Sequence, residues 1–256
     1  MEGLGLLVSL DPRRLGERWA GSSLPEERVE GCVAVRVDGV GFSSRLAGLA
    51  SCGKPRCASL HFAEVAAAVA TCRRYGCVAA YVVSDEATFF FRPGCAAYGG
   101  RVYKLVSVLA SEFSSMVSLS LGAPLPYDAR VVVVDDAVEY IAWRMRVAFG
   151  NYVSQLYHSR PGTRRGQTPR LGEMLAVVGD QVLGEDDWRV TGSLAAAVTV
   201  RVGAVDRRTG ARVEVTRRRW VAVSGACRIL DLAGRLAAEG ILCGSQKYSC
   251  GRQPSS

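Results

Sequence analysis

The sequence predicts an α+β protein whose strands and helices follow the order β-α-β-β-α-β, which is the order of a ferredoxin-like fold. Two observations carry this prediction. Short runs rich in β-branched residues alternate with longer apolar segments of helical length, and glycines, prolines and acids separate the segments. The 256 residues, 49% of them hydrophobic, can build a sizeable core. After the ferredoxin-like unit we expect an appended C-terminal α+β region.

The predicted order begins with a strand and a helix. Residues 32–37 (CVAVRV) form a short β-branched run that ends at Asp38 and a glycine-rich turn. A helix is predicted over residues 59–74. Gly76 is expected to close it, because glycine readily adopts the left-handed conformation that ends helices.

A tight hairpin is predicted next. Strands over residues 77–83 and 87–91 leave only Ser84, Asp85 and Glu86 between them. The two acids are therefore expected at the tip of the hairpin, between apolar runs that belong inside the sheet.

The second half of the order contains a helix over residues 102–118 and a strand over residues 129–134, joined by the turn-rich stretch GAPLPYD. Asp136 and Glu139 then have the three-residue spacing of a capping box. They predict the start of a long helix over residues 137–157.

The remaining chain predicts a basic loop over residues 160–170, strands over residues 195–205 and 213–223, and a helix over residues 228–239. The sequence DRRTG joins the two strands, which suits a hairpin. We predict three parts: an N-terminal extension over residues 1–30, a ferredoxin-like unit over residues 31–160 and a C-terminal appendage over residues 161–256.

Composition narrows the classes of function. Charged residues make up 22% of the chain, and no apolar run approaches the roughly 20 residues that a membrane-spanning helix needs. An acid precedes the first apolar run, where a secretion signal would carry basic residues. We therefore expect a soluble, cytoplasmic protein with no membrane partner. The net charge of +8 suits a polyanionic partner, or simply a mildly basic protein.

Nine cysteines and two histidines are present, and the cysteines lack the paired CxxC spacing of a zinc site. Buried thiols are the default expectation. Disulfides stay open as an alternative, because intracellular proteins of hyperthermophiles are an exception to the reducing cytosol.

The placement of Asp38 and Asp85 is the main functional signal. In a ferredoxin-like sheet the first and third strands are antiparallel neighbours, so the exit of one lies beside the entry of the other. Two carboxylates on one sheet edge repel each other unless a cation neutralises them. Mg²⁺ takes few protein oxygens and keeps other positions for water and phosphates, which suits phosphoryl or nucleotidyl transfer. The alternative is that both residues are ordinary turn acids.

Other candidate residues each have a structural alternative. Gly39 and Gly41 either let backbone amides approach a triphosphate or serve an ordinary turn. Phe42 either stacks on a base or fills the core. Several basic side chains either bind phosphate or form a solvated surface. They are Arg101 and Lys104, the pair Arg164 and Arg165, and the run Arg217, Arg218 and Arg219.

Two motifs resemble those of the tRNA(His) guanylyltransferase superfamily, in particular its archaeal and bacterial guanylyltransferase-like branch. VRVDGVGF (residues 35–42) is similar to the family's RxDGRxF segment, and YVVSDEATFFF (residues 81–91) is similar to its SDExSF hairpin. Supporting matches extend the resemblance to residue 221. They include Lys54-Pro55, Arg101-x-x-Lys104-Leu-Val-Ser107, YDARVV, Trp143-Arg144, Asn151 and RRGQTPRLGEML.

This resemblance implies a polymerase/cyclase-type palm that adds nucleotides to tRNA 5′ ends in the 3′-to-5′ direction, in tRNA(His) maturation or 5′-end repair. Asp38, Asp85 and the Gly39 carbonyl would hold two Mg²⁺ ions, and Glu86 would be a third catalytic residue. GTP or a template-matched nucleoside triphosphate would be added, and the 5′ end would either be activated by adenylylation with ATP or already carry a triphosphate. The enzyme would be a homodimer or homotetramer.

Three groups of binding residues follow from the same resemblance and from the basic runs. The nucleotide site would comprise Asp38, Gly39, Val40, Gly41, Phe42, Ser43, Ser84, Asp85, Lys54 and Asn151. The triphosphate or the tRNA 5′ end would contact Arg36, Arg101, Lys104 and Ser107. The body of the tRNA would contact Arg164, Arg165, Arg217, Arg218 and Arg219.

The chain departs from the family pattern at two places. Val40 stands where the family has an arginine, so the contacts of that side chain are missing. The segment FGNYVSQL (residues 149–156) stands where eukaryotic members read HINNLYNT, and it keeps Asn151 but lacks the histidine. The acceptor tRNA is therefore left open.

Two other classes share the predicted order of elements. A nucleotidyl cyclase or a diguanylate-type cyclase carries acids at the same two places, although the hairpin here reads SDEATF and not the GGDEF of the diguanylate type. A non-catalytic RNA-binding module of the RRM kind reads bases with aromatic residues on its central strands, and Phe89, Phe90 and Phe91 fit that pattern superficially. Such a module has no use for paired acids at its sheet edge.

Overall fold

The structure is a computed structural model, and it describes residues 26–46, 57–162 and 169–245. Its six strands lie at β1 Val33–Gly39, β2 Cys77–Val83, β3 Glu86–Phe91, β4 Tyr127–Val133, β5 Ser193–Val205 and β6 Arg212–Ser224. Each strand was predicted, and the ends differ by three residues or fewer.

Seven helices are present in the described residues. They are α1 Phe42–Arg45, α2 Ala58–Tyr75, α3 Val102–Leu121, α4 Ala137–His158, α5 Leu171–Val178, α6 Trp188–Thr191 and α7 Ala226–Ala238. Short 3-10 turns occur at Ala97–Gly100 and Gly179–Gln181. The four long helices were predicted, whereas α1, α5 and α6 were not, because four to eight residues are too few to show a helical period.

All six strands form one antiparallel sheet in the order β4-β1-β3-β2-β5-β6. The inner order β4-β1-β3-β2 is that of a ferredoxin-like fold, so the predicted α+β class is confirmed. The appended strands β5 and β6 continue the same sheet, because β5 pairs with β2. The division at residue 160 stays a prediction.

Helices cover both faces of the sheet. On one face, α2 and α3 pack over Val35, Val37 and Phe89; on the other, α4 and α7 pack over Ala34 and Phe90. Phe89, Phe90 and Phe91 are all buried. None of these three rings is therefore available to stack on a nucleotide base.

The hairpin is one residue tighter than predicted. β3 begins at Glu86, which pairs with Val83 on one side and with Asp38 on the other. Only Ser84 and Asp85 lie in the turn, and Ser84 adopts a φ of 63°, an uncommon value for a residue with a side chain. Glu86 is thus part of the buried sheet and does not lie at the tip.

The cysteine prediction is only partly correct. Cys72 and Cys77 are buried thiols as expected, and Cys95 is an exposed thiol. Cys32 and Cys243, however, form a disulfide that links the start of β1 to the segment after α7. Cys57 and Cys227 are also disulfide-bonded. Spacing along the chain does not reveal such pairs, because 211 residues separate Cys32 from Cys243.

Helix α3 has 20 residues and a mean hydropathy of 1.2, which by length and composition alone is enough to cross a membrane. One side of it is buried in the core, through Leu105, Leu109, Phe113 and Val117 at helical spacing. A core helix has the same composition, and this packing accounts for its apolar character.

Asp136 caps helix α4, as its sequence position predicts. Its carboxylate accepts hydrogen bonds from the backbone N–H groups of Val138 and Glu139, and from Ser245 in the C-terminal segment. Burial by itself would raise the pKa of Asp136, but these hydrogen bonds outweigh it and lower the pKa below its ordinary value. The ionised carboxylate therefore stabilises the fold.

Replacing Asp136 with alanine is expected to lower the free energy of unfolding by about 1 kcal/mol, the usual value of an N-cap. Because the pKa is lowered on folding, this contribution is complete above the ordinary value of 3.8 and disappears as the pH falls through the folded-state pKa. Urea denaturation at neutral and acidic pH measures it. Asp135→Ala, at the exposed neighbouring position, is the control and should change little.

Candidate active site

The exit of β1 and the turn between β2 and β3 meet at one edge of the sheet. Asp38 is the cross-strand partner of Glu86, and the backbone N–H of Gly39 donates a 2.8 Å hydrogen bond to the carbonyl of Asp85. The structure thus brings Asp38 and Asp85 to the same edge, as the strand order predicts.

A third acid, Asp128, joins this edge. It lies on the outer strand β4 directly opposite Asp38. Burial raises the pKa of Asp38, and the charges of Asp85 and Asp128 add to the rise, whereas those of Arg36 and Arg130 oppose it. Three carboxylates therefore gather at this edge, an arrangement that a divalent cation would help to neutralise. Sequence reasoning missed Asp128, although the second position of YDARVV could have suggested it.

A chain of ion pairs runs inward from Asp38. Arg36 donates to Asp38 Oδ2 at 2.8 Å, and its other terminal nitrogen lies 3.7 Å from Glu86. Arg144 from α4 donates to both oxygens of Glu86, through Nε to Oε1 at 2.8 Å and through a terminal nitrogen to Oε2, which is also the oxygen near Arg36. Glu86 is therefore held between two arginines.

Burial distinguishes the members of this chain. The side chains of Glu86, Arg144 and Arg36 are 6%, 12% and 14% exposed, but that of Asp38 is 35% exposed. Burial raises the pKa of Glu86, and the hydrogen bonds and charge of Arg144 partly offset the rise. Only the Asp38 end of the chain opens to solvent, where a ligand could reach it.

The glycine-rich turn after β1 is packed by an aromatic side chain. Phe42 is buried and meets the ring of Tyr127 edge to face, with 4.9 Å between the ring centroids. Gly41 takes a φ of 68°, which glycine tolerates, and Val40 is 44% exposed. Because the Phe42 ring is in the core, only its backbone could contact a nucleotide. The structure describes no more of Ser43 than its backbone, which lies in α1.

Gly39 has no room for a side chain. A Cβ atom there would lie 2.6 to 2.8 Å from the Phe42 ring. Gly39→Ala is expected to destabilise the fold by about 1–3 kcal/mol, because the buried ring has to shift. The control is Gly172→Ala on α5, where a Cβ would meet nothing within 4 Å. Equal midpoints in urea for the two variants would contradict this prediction.

Other predicted site residues lie away from the acidic edge. Arg101 precedes α3 and contacts Glu26 and Tyr98, near the end of the sheet where β1 begins. Lys104 and Ser107 are exposed on the first two turns of α3. Asn151 is exposed on α4, seven residues or about two turns beyond Arg144.

The predicted tRNA-contacting arginines are only partly described. Arg217, Arg218 and Arg219 are exposed on β6, and strand alternation places Arg218 on the opposite face from the other two. Lys54, from the predicted nucleotide site, and the loop pair Arg164 and Arg165 lie outside the described residues.

The donor set at the edge suits a metal that needs few protein ligands. The described residues include no cluster of three or more His, Cys, Asp or Glu side chains able to enclose an ion. Asp38 Oδ1 accepts no hydrogen bond within the described ranges, and the Asp38 side chain is 35% exposed. Mg²⁺ is held by one or two carboxylates together with water and substrate phosphates, so this edge fits Mg²⁺ and does not fit a closed metal cage.

Comparison with known proteins gives a family and a fold. The family described as tRNAHis guanylyltransferase matches residues 27–140. No curated protein matches the chain.

The solved structures that resemble the chain include the following three. A bacterial tRNA(His) guanylyltransferase (Thg1)-like protein in complex with ATP is 18% identical with a TM-score of 0.66, over 90% of this chain and 99% of that one. A bacterial protein of the same description in complex with GTP is 18% identical with a TM-score of 0.55, over 82% and 89%. The tRNA(His) guanylyltransferase of Saccharomyces cerevisiae is 17% identical with a TM-score of 0.53, over 70% and 91%.

At these sequence identities the solved structures establish the fold alone. The family match confirms the resemblance predicted from the motifs at residues 35–42 and 81–91. The matched segment contains β1, the hairpin and β4, and hence Asp38, Asp85 and Asp128. Residues 27–140 of this chain match the family described as tRNAHis guanylyltransferase.

Proposed function

We propose that the protein is a tRNA 5′-end nucleotidyltransferase that adds guanylate or template-matched nucleotides in the 3′-to-5′ direction. The observation that carries the proposal is the convergence of Asp38 and Asp85 on one sheet edge, inside the segment that matches the family. The bacterial proteins of similar fold are complexes with ATP and GTP, which supports nucleoside triphosphates as substrates.

In this proposal Asp38, Asp85 and the carbonyl of Gly39 hold two Mg²⁺ ions. When bound, Mg²⁺ supplies neutralisation of phosphate charge and alignment of the reacting groups. The 3′-hydroxyl of the incoming nucleotide would attack the activated 5′ phosphate of the tRNA and give up its proton to solvent; a phosphorus–oxygen bond would form, and the activating group would leave with the electron pair of the broken bond. The backbone of residues 39–43 and Ser84 would line the nucleotide, and the resemblance adds Asn151, which lies about two turns along α4 from Arg144.

We assign Arg36 to the reacting phosphate, as the resemblance implies. Its terminal nitrogens contact Asp38 and Glu86, so its guanidinium would lie next to a phosphate bound at Asp38. Arg101, Lys104 and Ser107 lie farther off, and we assign them to the 5′ end of the tRNA and not to the metal-bound triphosphate.

The RNA itself is proposed to lie on exposed arginines. Arg217 and Arg219 lie exposed on one face of β6 and Arg218 on the other, with no ion-pair partner in the described ranges, and the net charge of the chain is +8. On sequence grounds we also propose Arg164 and Arg165 as contacts with the tRNA. A cytoplasmic homodimer or homotetramer completes the proposal.

The test is 5′ extension of tRNA transcripts that lack their first nucleotide, with Mg²⁺ and each nucleoside triphosphate in turn. We expect addition of the nucleotide that pairs with the opposing base, and no addition in EDTA. If no transcript is extended but the protein binds RNA independently of Mg²⁺, a non-catalytic RNA-binding protein is the better description. Formation of a cyclic nucleotide without RNA would instead favour the cyclase alternative.

A further inference from the structure

We propose that Arg144 is a positioning residue for Asp38 and that it acts through Glu86 and Arg36 on the binding of the divalent cation. This inference rests on the proposed function, because it assigns a cation to Asp38. The family match ends at residue 140, four residues before Arg144. Trp143-Arg144 is among the motifs that resemble the family, but that resemblance assigns Arg144 no role.

The first step is the geometry of the contact between Arg144 and Glu86. Both oxygens of Glu86 accept from the planar fork of Arg144, so the carboxylate is fixed in rotation as well as in place. The fork comes from a rigid element, since Ile141 and Met145 on either side of Arg144 are buried in the core. The Trp143 ring also lies 4.9 Å from the guanidinium carbon.

The second step is the dependence of Arg36 on Glu86. Arg36 has a buried Nε with no hydrogen-bond partner in the described ranges, so two carboxylates determine where its guanidinium lies. One of them, Asp38, is on the open edge. The other, Glu86, is fixed by Arg144. If Glu86 can rotate, Arg36 loses its 3.7 Å contact with Glu86. The second terminal nitrogen of Arg36 is then free to move toward Asp38.

The third step is the effect on Asp38. Arg36 occupies Oδ2 of Asp38 at 2.8 Å and leaves Oδ1 for a ligand. If Arg36 moves, the Asp38 carboxylate is free to rotate. Oδ2 is then no longer held by Arg36, and Oδ1 is no longer held in position for the cation. Loss of such outer contacts typically weakens metal binding by about 10- to 100-fold.

The test is binding of Mn²⁺ to the full chain, followed by the electron paramagnetic resonance signal of the free ion. Arg144→Lys keeps the positive charge but loses the fork, so we expect the dissociation constant to rise about 10-fold or more. Arg146→Lys is the matched control, because it makes the same change at an exposed position on the same helix. It should bind Mn²⁺ as the wild type does.

A second variant separates positioning from folding. Arg144→Met leaves Glu86 with an unbalanced buried charge, and the variant Glu86→Gln/Arg144→Met removes both charges of the pair. If Arg144 only neutralises Glu86, this double variant restores both the melting temperature and the affinity for Mn²⁺. If Arg144 positions Asp38, it restores the melting temperature alone.

Wild-type affinity in Arg144→Lys, or in the double variant, would overturn the inference. Failure of the proposed function gives a different result. In that case wild type does not bind Mn²⁺, or Asp38→Asn binds it as tightly as wild type, and the positioning role is lost together with the metal site.

Discussion

Asp38→Ala and Asp85→Ala are each expected to reduce 5′ nucleotide addition on the order of a thousandfold, because each removes a carboxylate that holds the catalytic cations. Single-turnover extension of a 5′-truncated tRNA, at saturating nucleotide and Mg²⁺, measures the loss. Asp135→Ala removes an exposed acid near the opposite end of β4 and should retain full activity. Retention of activity in Asp38→Ala would remove the basis of the proposed mechanism.

Removing the charge of Asp38 should not unfold the protein. The pKa of Asp38 is raised in the folded state, so its ionised form is less favourable in the folded chain than in the unfolded chain. The free energy of unfolding therefore falls as the pH rises from 3.8, the ordinary pKa of an aspartate, through the raised pKa of Asp38 in the folded state. Asp38→Asn removes that loss, and without metal at neutral pH we expect a free energy of unfolding equal to or above that of wild type. A lower value would assign Asp38 a structural role.

Arg144→Met is expected to destabilise the fold by about 3–5 kcal/mol, the cost of leaving one partner of a buried ion pair without the other. Glu86 is 6% exposed, so water cannot replace the two hydrogen bonds that it loses. Urea denaturation with a two-state fit measures the change.

The control for this prediction is a pair of similar geometry at the surface. Arg74 donates to Glu112 at 2.7 Å, but the Arg74 side chain is 61% exposed. Arg74→Met should therefore cost no more than about 1 kcal/mol. Similar costs for the two substitutions would mean that burial of Glu86 does not govern the strength of its pair with Arg144.

Local patterns were sufficient for most of the fold. The helix α2 ends at Gly76 with a φ of 76°, and Asp136 caps α4, because both features depend on residues within one turn of each other. The convergence of Asp38 and Asp85 was also predictable, since it follows from the strand order alone. The exact pairing of residues between neighbouring strands was not predictable. Glu86 was predicted at the hairpin tip, whereas it is the first residue of β3.

The sequence by itself determined the fold class, the long elements and the two aspartates on one edge, because helix periods, glycine turns and adjacent antiparallel strands depend on short-range rules. Only the tertiary structure decided that β5 continues the sheet, that Cys32 bonds Cys243 and that Arg144 holds Glu86. Those contacts join residues from 58 to 211 positions apart. Their formation depends on how whole elements pack, which no local spacing in the chain encodes.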